Sequence, residues 1–310
     1  MKEIKNVAVI GGGLMGCGIA QVFASCGGLN VNIYDSFVPG EKIYQRIRSN
    51  LSMLVDKEVF TQYSADEIVS GIYTFDRLDA AVRDAGLIVE CIPENMELKQ
   101  NFFMELEPLC GREAIFATNT SVMSITEIAG KAANKERIVG THFWNPPYLI
   151  PLVEVVKSDY TSDDVMDATM EILKRAGKKP IRVNRDVPGF VANRLQHALW
   201  REAISIVERG IADAATVDEA IKMSFGLRLP VLAPMENSDM IGNDLTLSIH
   251  SYILKHLESS TEPSPLLKEK VEKGELGFKT GKGFLEWTGE DMEESRRRLT
   301  EHLIKMVFNK

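Results

Sequence analysis

The chain is poor in cysteine. Its 310 residues hold four, Cys17, Cys26, Cys91 and Cys110, with no C-x-x-C pair and no spacing suited to a metal, which argues against a disulfide scaffold or a zinc module. Cys17 falls in an expected helix and Cys91 in an expected strand, where a thiol acts as a small apolar residue. The set reads as reduced thiols, and a cytoplasmic location is expected. A basic excess is missing too. Lys and Arg number 36 against 44 Asp and Glu, a formal charge of −8, which argues against a general nucleic-acid or anionic-membrane binder. There is no internal repeat, no low-complexity tract and no long apolar run. Residues 6–34 carry no charge, and Phe23-Ala24-Ser25-Cys26 has a faint likeness to a lipoprotein cleavage box. Only Val7 to Ile10 precede the glycines, however, which is too little for a signal peptide and a poor start for a spanning helix. A strand covered on both faces explains the missing charges better. What remains is an ordinary globular composition, 45% apolar and 26% charged, long enough for about two domains.

What is present begins at Val7-Ala8-Val9-Ile10, which runs straight into Gly11-Gly12-Gly13-Leu14-Met15-Gly16. A second apolar run, from Leu29 to Tyr34, ends in Asp35. Strand, G-x-G-x-x-G turn, helix, strand and acid, in that order, form the fingerprint of a dinucleotide-binding βαβ unit. Gly11 permits the tight turn, Gly13 lets the backbone approach a pyrophosphate, and Gly16 lets the helix pack on the sheet. The helix N-terminus offers free N–H groups to the phosphates. Asp35 can accept both ribose hydroxyls of NAD and repels the extra phosphate of NADP, and Ser36, Phe37, Val38 and Pro39 supply no base to hold that phosphate. NAD is the expected cofactor.

Residues 40–70 carry apolar side chains at helical spacing, among them Ile43, Ile47, Leu51 and Leu54, and read as a helical excursion after the second strand. Strand patterns follow at 72–75, 87–92, 114–118, 137–143, 152–156 and 180–183, with helical stretches at 96–109 and 163–176. This alternation predicts a doubly wound α/β sheet of Rossmann type. The character changes at Asn184-Arg185-Asp186-Val187-Pro188-Gly189. From there the pattern is helical, with helices expected at 190–208, 216–223, 238–258 and 291–308. Residues 1–186 are therefore read as the dinucleotide-binding domain and 187–310 as an all-α domain. The 190–208 helix is apolar around most of its circumference, which implies burial inside a helical domain or at a subunit interface.

Ligands of an open parallel sheet sit at the carboxyl ends of its strands. Two motifs fall there: Thr118-Asn119-Thr120-Ser121, and Thr141-His142-Phe143-Trp144-Asn145-Pro146-Pro147 followed by the strand holding Glu154. A histidine beside a carboxylate is suited to taking a hydroxyl proton near neutral pH while a nicotinamide takes the hydride. His197, His250, His256 and His302 lie in helical segments without a comparable setting.

With Pro93-Glu94-Asn95, Val153-Glu154-Val155, Pro188-Gly189-Phe190-Val191-Ala192-Asn193-Arg194 and Lys279-Thr280-Gly281-Lys282-Gly283-Phe284 added, the chain resembles the 3-hydroxyacyl-CoA dehydrogenase family over nearly its whole length. The resemblance implies a dinucleotide-binding domain followed by a helical domain that mediates dimerisation. It makes His142 the general base, Glu154 its partner, and Ser121 and Asn193 hydrogen-bonding groups for the substrate oxygens. Gly11, Gly13, Leu14, Met15 and Gly16, with Asp35, Glu94 and Asn119, become the expected cofactor contacts. A small-molecule substrate and a homodimer are implied.

The departures from the family pattern bear on the substrate. Trp144 replaces the usual phenylalanine, Asp56-Lys57-Glu58 is mixed in sign where acyl-CoA enzymes often carry lysines, and Phe278 stands where a base is common. Lys42, Arg46 and Arg48 could meet CoA phosphates or form a solvated helix face. His142-x-x-Asn145-Pro146-Pro147-x-x-Ile150-Pro151 is similar to the branch containing lambda-crystallin and gulonate dehydrogenase. Arg228 resembles an arginine of members acting on free acids such as carnitine dehydrogenase, where it could clamp a carboxylate; satisfying helix-end carbonyls is its equal alternative. Asn145 and Arg228 are thus the candidate substrate contacts. The 3-hydroxyisobutyrate and 6-phosphogluconate dehydrogenases share the glycine turn but use a catalytic lysine, and no lysine stands in the helix after Pro188. A cofactor-binding sensor or crystallin-like structural protein has no use for His142, Glu154, Ser121 and Asn193 together.

Overall fold

The computed structural model describes residues 3–308. Contacts divide it into two compact units. One holds the residues up to Asn193 together with those from Thr300 onward, and the other runs Arg194–Leu299. Residues 187–193 belong to the first unit although they follow the change of pattern near 186: Phe190 is buried there, and the next two backbone N–H groups bond to Glu154.

The first unit is built on eight strands: β1 (Asn6–Ile10), β2 (Asn30–Tyr34), β3 (Ile72–Phe75), β4 (Leu87–Glu90), β5 (Ile115–Thr118), β6 (Ile138–Phe143), β7 (Leu152–Val156) and β8 (Lys179–Val183). They lie in the order β3-β2-β1-β4-β5-β6-β7-β8, parallel except where β6 meets β7. Strand order reverses between β1 and β4, which opens the crevice where such sheets bind ligands. The central strands β4, β5 and β6 are buried at every residue, as apolar runs without alternation require when both faces are covered.

Alternate strand residues feed two cores. Val7, Val9, Val31, Ile33 and Val89 pack with α1 (Leu14–Ser25), α2 (Gly40–Asp56), α3 (Gln62–Ser70) and α7 (Asp163–Arg175). Ala8, Ile10, Ile88, Phe116 and Ile138 pack on the other face with α4 (Leu78–Val82), α5 (Met96–Leu106) and α6 (Ile125–Ile128). A third, small cluster joins Leu54 and Leu149 to Ile304, near the end of the chain.

The second unit takes up most of α8 (Ala192–Glu208), then α9 (Ala214–Lys222), α10 (Phe225–Arg228), α11 (Pro234–Ile241), α12 (Asn243–Ile253), α13 (Pro265–Glu272) and the start of α14 (Gly289–Phe308). Beyond Asn193 the described residues form only isolated bridges, Gly277 with Lys282 and Lys282 with Glu286. Two expectations are corrected. The helix expected over 238–258 is broken at Gly242, whose φ of 96° lies outside the helical region. The alternative that α8 is buried inside the helical domain is corrected too: of its residues only Ser205 is buried and Leu195 is 63% exposed, which leaves the other alternative, a subunit interface.

Two fingerprint glycines make opposite predictions. A Cβ on Gly16 would lie 1.8 Å from the Gly11 carbonyl oxygen, whereas one on Gly13 would meet nothing within 4 Å. Gly16→Ala should cost about 1–3 kcal/mol of stability by overpacking, read as a lower thermal midpoint. Gly13→Ala should melt like the wild type yet bind NADH several-fold more weakly in a fluorescence titration, because its methyl group intrudes where a pyrophosphate comes close.

Candidate active site

His142 and Glu154 meet because the chain reverses between them. In the antiparallel register of β6 and β7 they are direct cross-strand partners, and His142 Nδ1 lies 2.8 Å from Glu154 Oε2. The detour joining them contains a cis peptide at Asn145-Pro146, and Lys178 Nζ donates to the carbonyls of Pro147 and Ile150. Glu154 is completely buried. Its second oxygen, Oε1, accepts from the N–H groups of Val191 at 2.9 Å and Ala192 at 3.0 Å, where α8 begins. Trp144 Nε1 donates to Oε2 at a longer 3.4 Å.

A left-handed turn supports this arrangement, with φ of 75° at Gly189 and 49° at Phe190. A phenylalanine in that region costs of order 1–3 kcal/mol. Its ring is buried and packs 5.7 Å from that of His142, while Trp144 approaches the imidazole at 5.4 Å. Burial pushes the Glu154 carboxyl up, but His142 and the Ala192 and Val191 N–H groups outweigh it and hold the carboxyl below its ordinary range. An ionised carboxylate only accepts, so Nδ1 carries a ring proton, and the neutral form of the imidazole has its lone pair on Nε2. Such an imidazole can take a proton at Nε2.

The loops beside this pair hold most of the other expected residues. Asn119 Oδ1 accepts from the N–H of Phe143 at 2.9 Å. Ser121 is exposed; its carbonyl accepts from Asn193 Nδ2 at 3.1 Å, and its N–H donates to Glu94 Oε1 at 2.8 Å. Thr120 Oγ1 also donates to that oxygen, at 2.9 Å. Asn145 is exposed on the detour. Sequence reasoning missed Glu90 and Lys99, which are buried with Thr118 just behind these loops. It also gave no role to the N–H groups of Val191 and Ala192, and no pattern of side chains could have disclosed them.

At the glycine turn, Asp35 Oδ2 accepts from the Gly12 N–H at 2.6 Å, and Oδ1 from the N–H groups of Phe37 and Val38 at 2.7 and 2.9 Å. Those three donors take most of a carboxylate's roughly four acceptor positions, leaving room for one ribose hydroxyl rather than two. Gly13 caps α1 without a side-chain hydrogen bond, and no acid stands in the first turn. The turn therefore offers unpaired N–H groups, and beside Gly13 it has the open space that a diphosphate needs. The residues present fit NAD. Arg46, read as solvated or bound for a CoA phosphate, instead donates to the Gly12 carbonyl at 2.5 Å. Burial pushes the nearby Cys17 thiol up to about 11, so it stays protonated at neutral pH.

Arg228 lies in the second unit. It lines a cavity of about 470 Å³ together with Phe225, Asn237, Ser238 and His250. Among the described residues no helix is long and apolar enough to cross a membrane.

Residues 6–187 match the model of the 3-hydroxyacyl-CoA dehydrogenase NAD binding domain, and residues 189–287 that family's C-terminal domain. The chain is 34% identical over 290 residues to a 5-formyl-3-hydroxy-2-methylpyridine 4-carboxylate 5-dehydrogenase of Mesorhizobium japonicum, covering 93% of this chain and 92% of that protein. A crystal structure of an enzyme of that name, described as an NAD+-dependent dismutase, superposes with a TM-score of 0.88 at 31% identity, over 98% and 99% of the two chains. A (S)-3-hydroxybutyryl-CoA dehydrogenase from Ralstonia eutropha gives a TM-score of 0.78 at 32% identity, over 92% and 100%.

Glu154→Gln tests the pair. A glutamine must turn its NH₂ either toward the two backbone N–H groups or toward Nδ1, and the second choice moves the ring proton to Nε2. Turnover should fall by about 10³–10⁴, the loss a wrong tautomer causes elsewhere. Because its carboxyl is lowered on folding, Glu154 contributes stability above its ordinary value of 4.5 and loses it as pH falls through the lower folded value. The gap in urea-unfolding free energy between wild type and variant should narrow as pH falls below 4.5.

Proposed function

Since the chain belongs to the 3-hydroxyacyl-CoA dehydrogenase family and is an NAD-dependent oxidoreductase, we propose that it interconverts an L-3-hydroxyacyl compound, most simply the CoA thioester, with its 3-keto form. The observation that carries this reading is the His142–Glu154 contact at 2.8 Å, at the end of β6. Bound NAD supplies the hydride acceptor. His142 Nε2 takes the hydroxyl proton as the carbonyl forms, and ionised Glu154 stabilises the resulting imidazolium and fixes the ring. Ser121 and Asn193 hold the substrate oxygen. The fingerprint residues Gly11, Gly13, Leu14, Met15 and Gly16 hold the cofactor with Asp35, while Glu94 and Asn119 line the cleft.

A second reading keeps this chemistry on a small free 3-hydroxy acid whose carboxylate is anchored by Arg228. Two observations favour it: Arg228 lines a cavity, and the Mesorhizobium japonicum relative is named for a ring carboxylate. A panel of short 3-hydroxyacyl-CoA esters and free 3-hydroxy acids, followed by NADH absorbance, separates the two. His142→Ala should keep NADH affinity and lose about 10²–10⁴ in kcat/KM; undiminished turnover rejects the assignment. Turnover of thioesters that survives Arg228→Ala, with none on free acids, eliminates the second reading.

We also propose a cytoplasmic homodimer. The exposed Leu195 and Trp200 of α8, and Leu247 and Tyr252 of α12, leave large apolar side chains in water that a second copy would cover. Sedimentation equilibrium at micromolar concentration should give twice the 34.6 kDa chain mass; a single-chain mass there removes the proposal.

A further inference from the structure

Behind the candidate cleft lies a buried ion pair that the proposed chemistry leaves unused. Glu90 ends β4 and is completely buried. Its Oε1 accepts from Lys99 Nζ at 2.6 Å and from the Ile92 N–H at 2.8 Å, and its Oε2 accepts from Thr118 Oγ1 at 2.7 Å. Lys99, in the first turns of α5, is 1% exposed. Its ammonium has three donors and three acceptors within reach: Glu90 Oε1, the Ile92 carbonyl at 3.3 Å, and Glu94 Oε2 at 3.4 Å.

Glu94 is the outward member of this triad, with its side chain 41% exposed. Its other oxygen holds Thr120 Oγ1 and the Ser121 N–H, and the Ser121 carbonyl in turn takes the Asn193 amide. An unbroken line of polar contacts thus runs from a fully buried carboxylate to two of the residues assigned to the substrate oxygen.

We infer that Lys99 is a positioning residue, which pins the Glu94 carboxylate inward and thereby presets the Asn119–Thr120–Ser121 segment before substrate arrives. The role assigned to Ser121 rests on the proposed function; the presetting of the segment does not. A glutamate on a loop between strand and helix otherwise gains rotamer freedom and full hydration by turning into solvent. The ammonium opposes this from a site without competing water, where charge attraction is weakly screened. Burial pushes the Glu90 carboxyl up, and Lys99 is the first of the groups that oppose that push.

Lys99→Met alone strands Glu90 and risks misfolding, so the decisive variant is Lys99→Met with Glu90→Gln, which removes both buried charges. Its thermal midpoint should stay within about 4 °C of wild type. Amide hydrogen exchange over residues 119–123 should nevertheless speed up about tenfold, as it should in Glu94→Gln. The triple variant should show no further acceleration, because the two changes cut one line of contacts. On whichever substrate the wild type turns over, kcat/KM of the double variant should fall about tenfold. Lys99→Arg with Glu90 intact should restore most of it.

Unchanged exchange in the double variant overturns the inference, as does acceleration that adds to that of Glu94→Gln. If the wild type is inactive on the whole panel while exchange behaves as expected, the function reading has failed and the positioning of the segment stands.

Discussion

Everything at the candidate site hangs on how one carboxylate is satisfied. Burying Glu154 without partners would cost several kcal/mol after relaxation. Four donors offset this, from His142 and Trp144 on one side and from Val191 and Ala192 on the other. They come from three parts of the chain: the end of β6, the detour after it, and the start of α8. The α8 N-terminus adds the favourable end of its dipole. The antiparallel turn of β7, the left-handed Phe190 and the first residues of α8 are therefore bound into one arrangement. Moving any of them leaves a buried charge short of donors.

The two buried carboxylates of the first unit show how partners decide the outcome of burial. Glu90 has an ammonium at 2.6 Å and is still pushed up. Glu154 has no permanent cation, yet it is held down by two backbone N–H groups and the imidazole. The difference suits their places. Glu154 has to be charged to fix a ring tautomer, whereas Glu90 needs only to tie the end of β4 to α5 through Lys99 and to the end of β5 through Thr118. Glu90 sits at the carboxyl end of β4, and Glu154 lies in the middle of β7, opposite the carboxyl end of β6.

Much of this was legible in the amino-acid sequence, and the limits have physical causes. The strands stand out because covered parallel strands are uniformly apolar, and the glycine turn because backbone geometry restricts what can stand at Gly11 and Gly16. His142 and Glu154 were readable as a pair because a short detour between two strands brings cross-strand partners together. Lys99 was not, since a lysine amid Met96, Glu97 and Leu98 looks like any helix-surface residue until the strand beneath it is known to end in glutamate. The break at Gly242 was hidden because an isolated glycine inside a helical pattern is tolerated at a small cost. The exposure of α8 could not be read either, for an apolar circumference states that cover is needed without stating whose.

The small cluster of Leu54, Leu149 and Ile304 bears on how the protein is made. A chain emerging from the ribosome presents Leu54 and Leu149 long before Ile304, and Lys57 long before its ion-pair partner Glu301 at 2.7 Å. The nucleotide-binding lobe is thus discontinuous in sequence, and its last wall arrives only after the helical lobe has been made. Throughout synthesis of the helical lobe that seam stays open, a hydrophobic face left uncovered until Ile304 has been made.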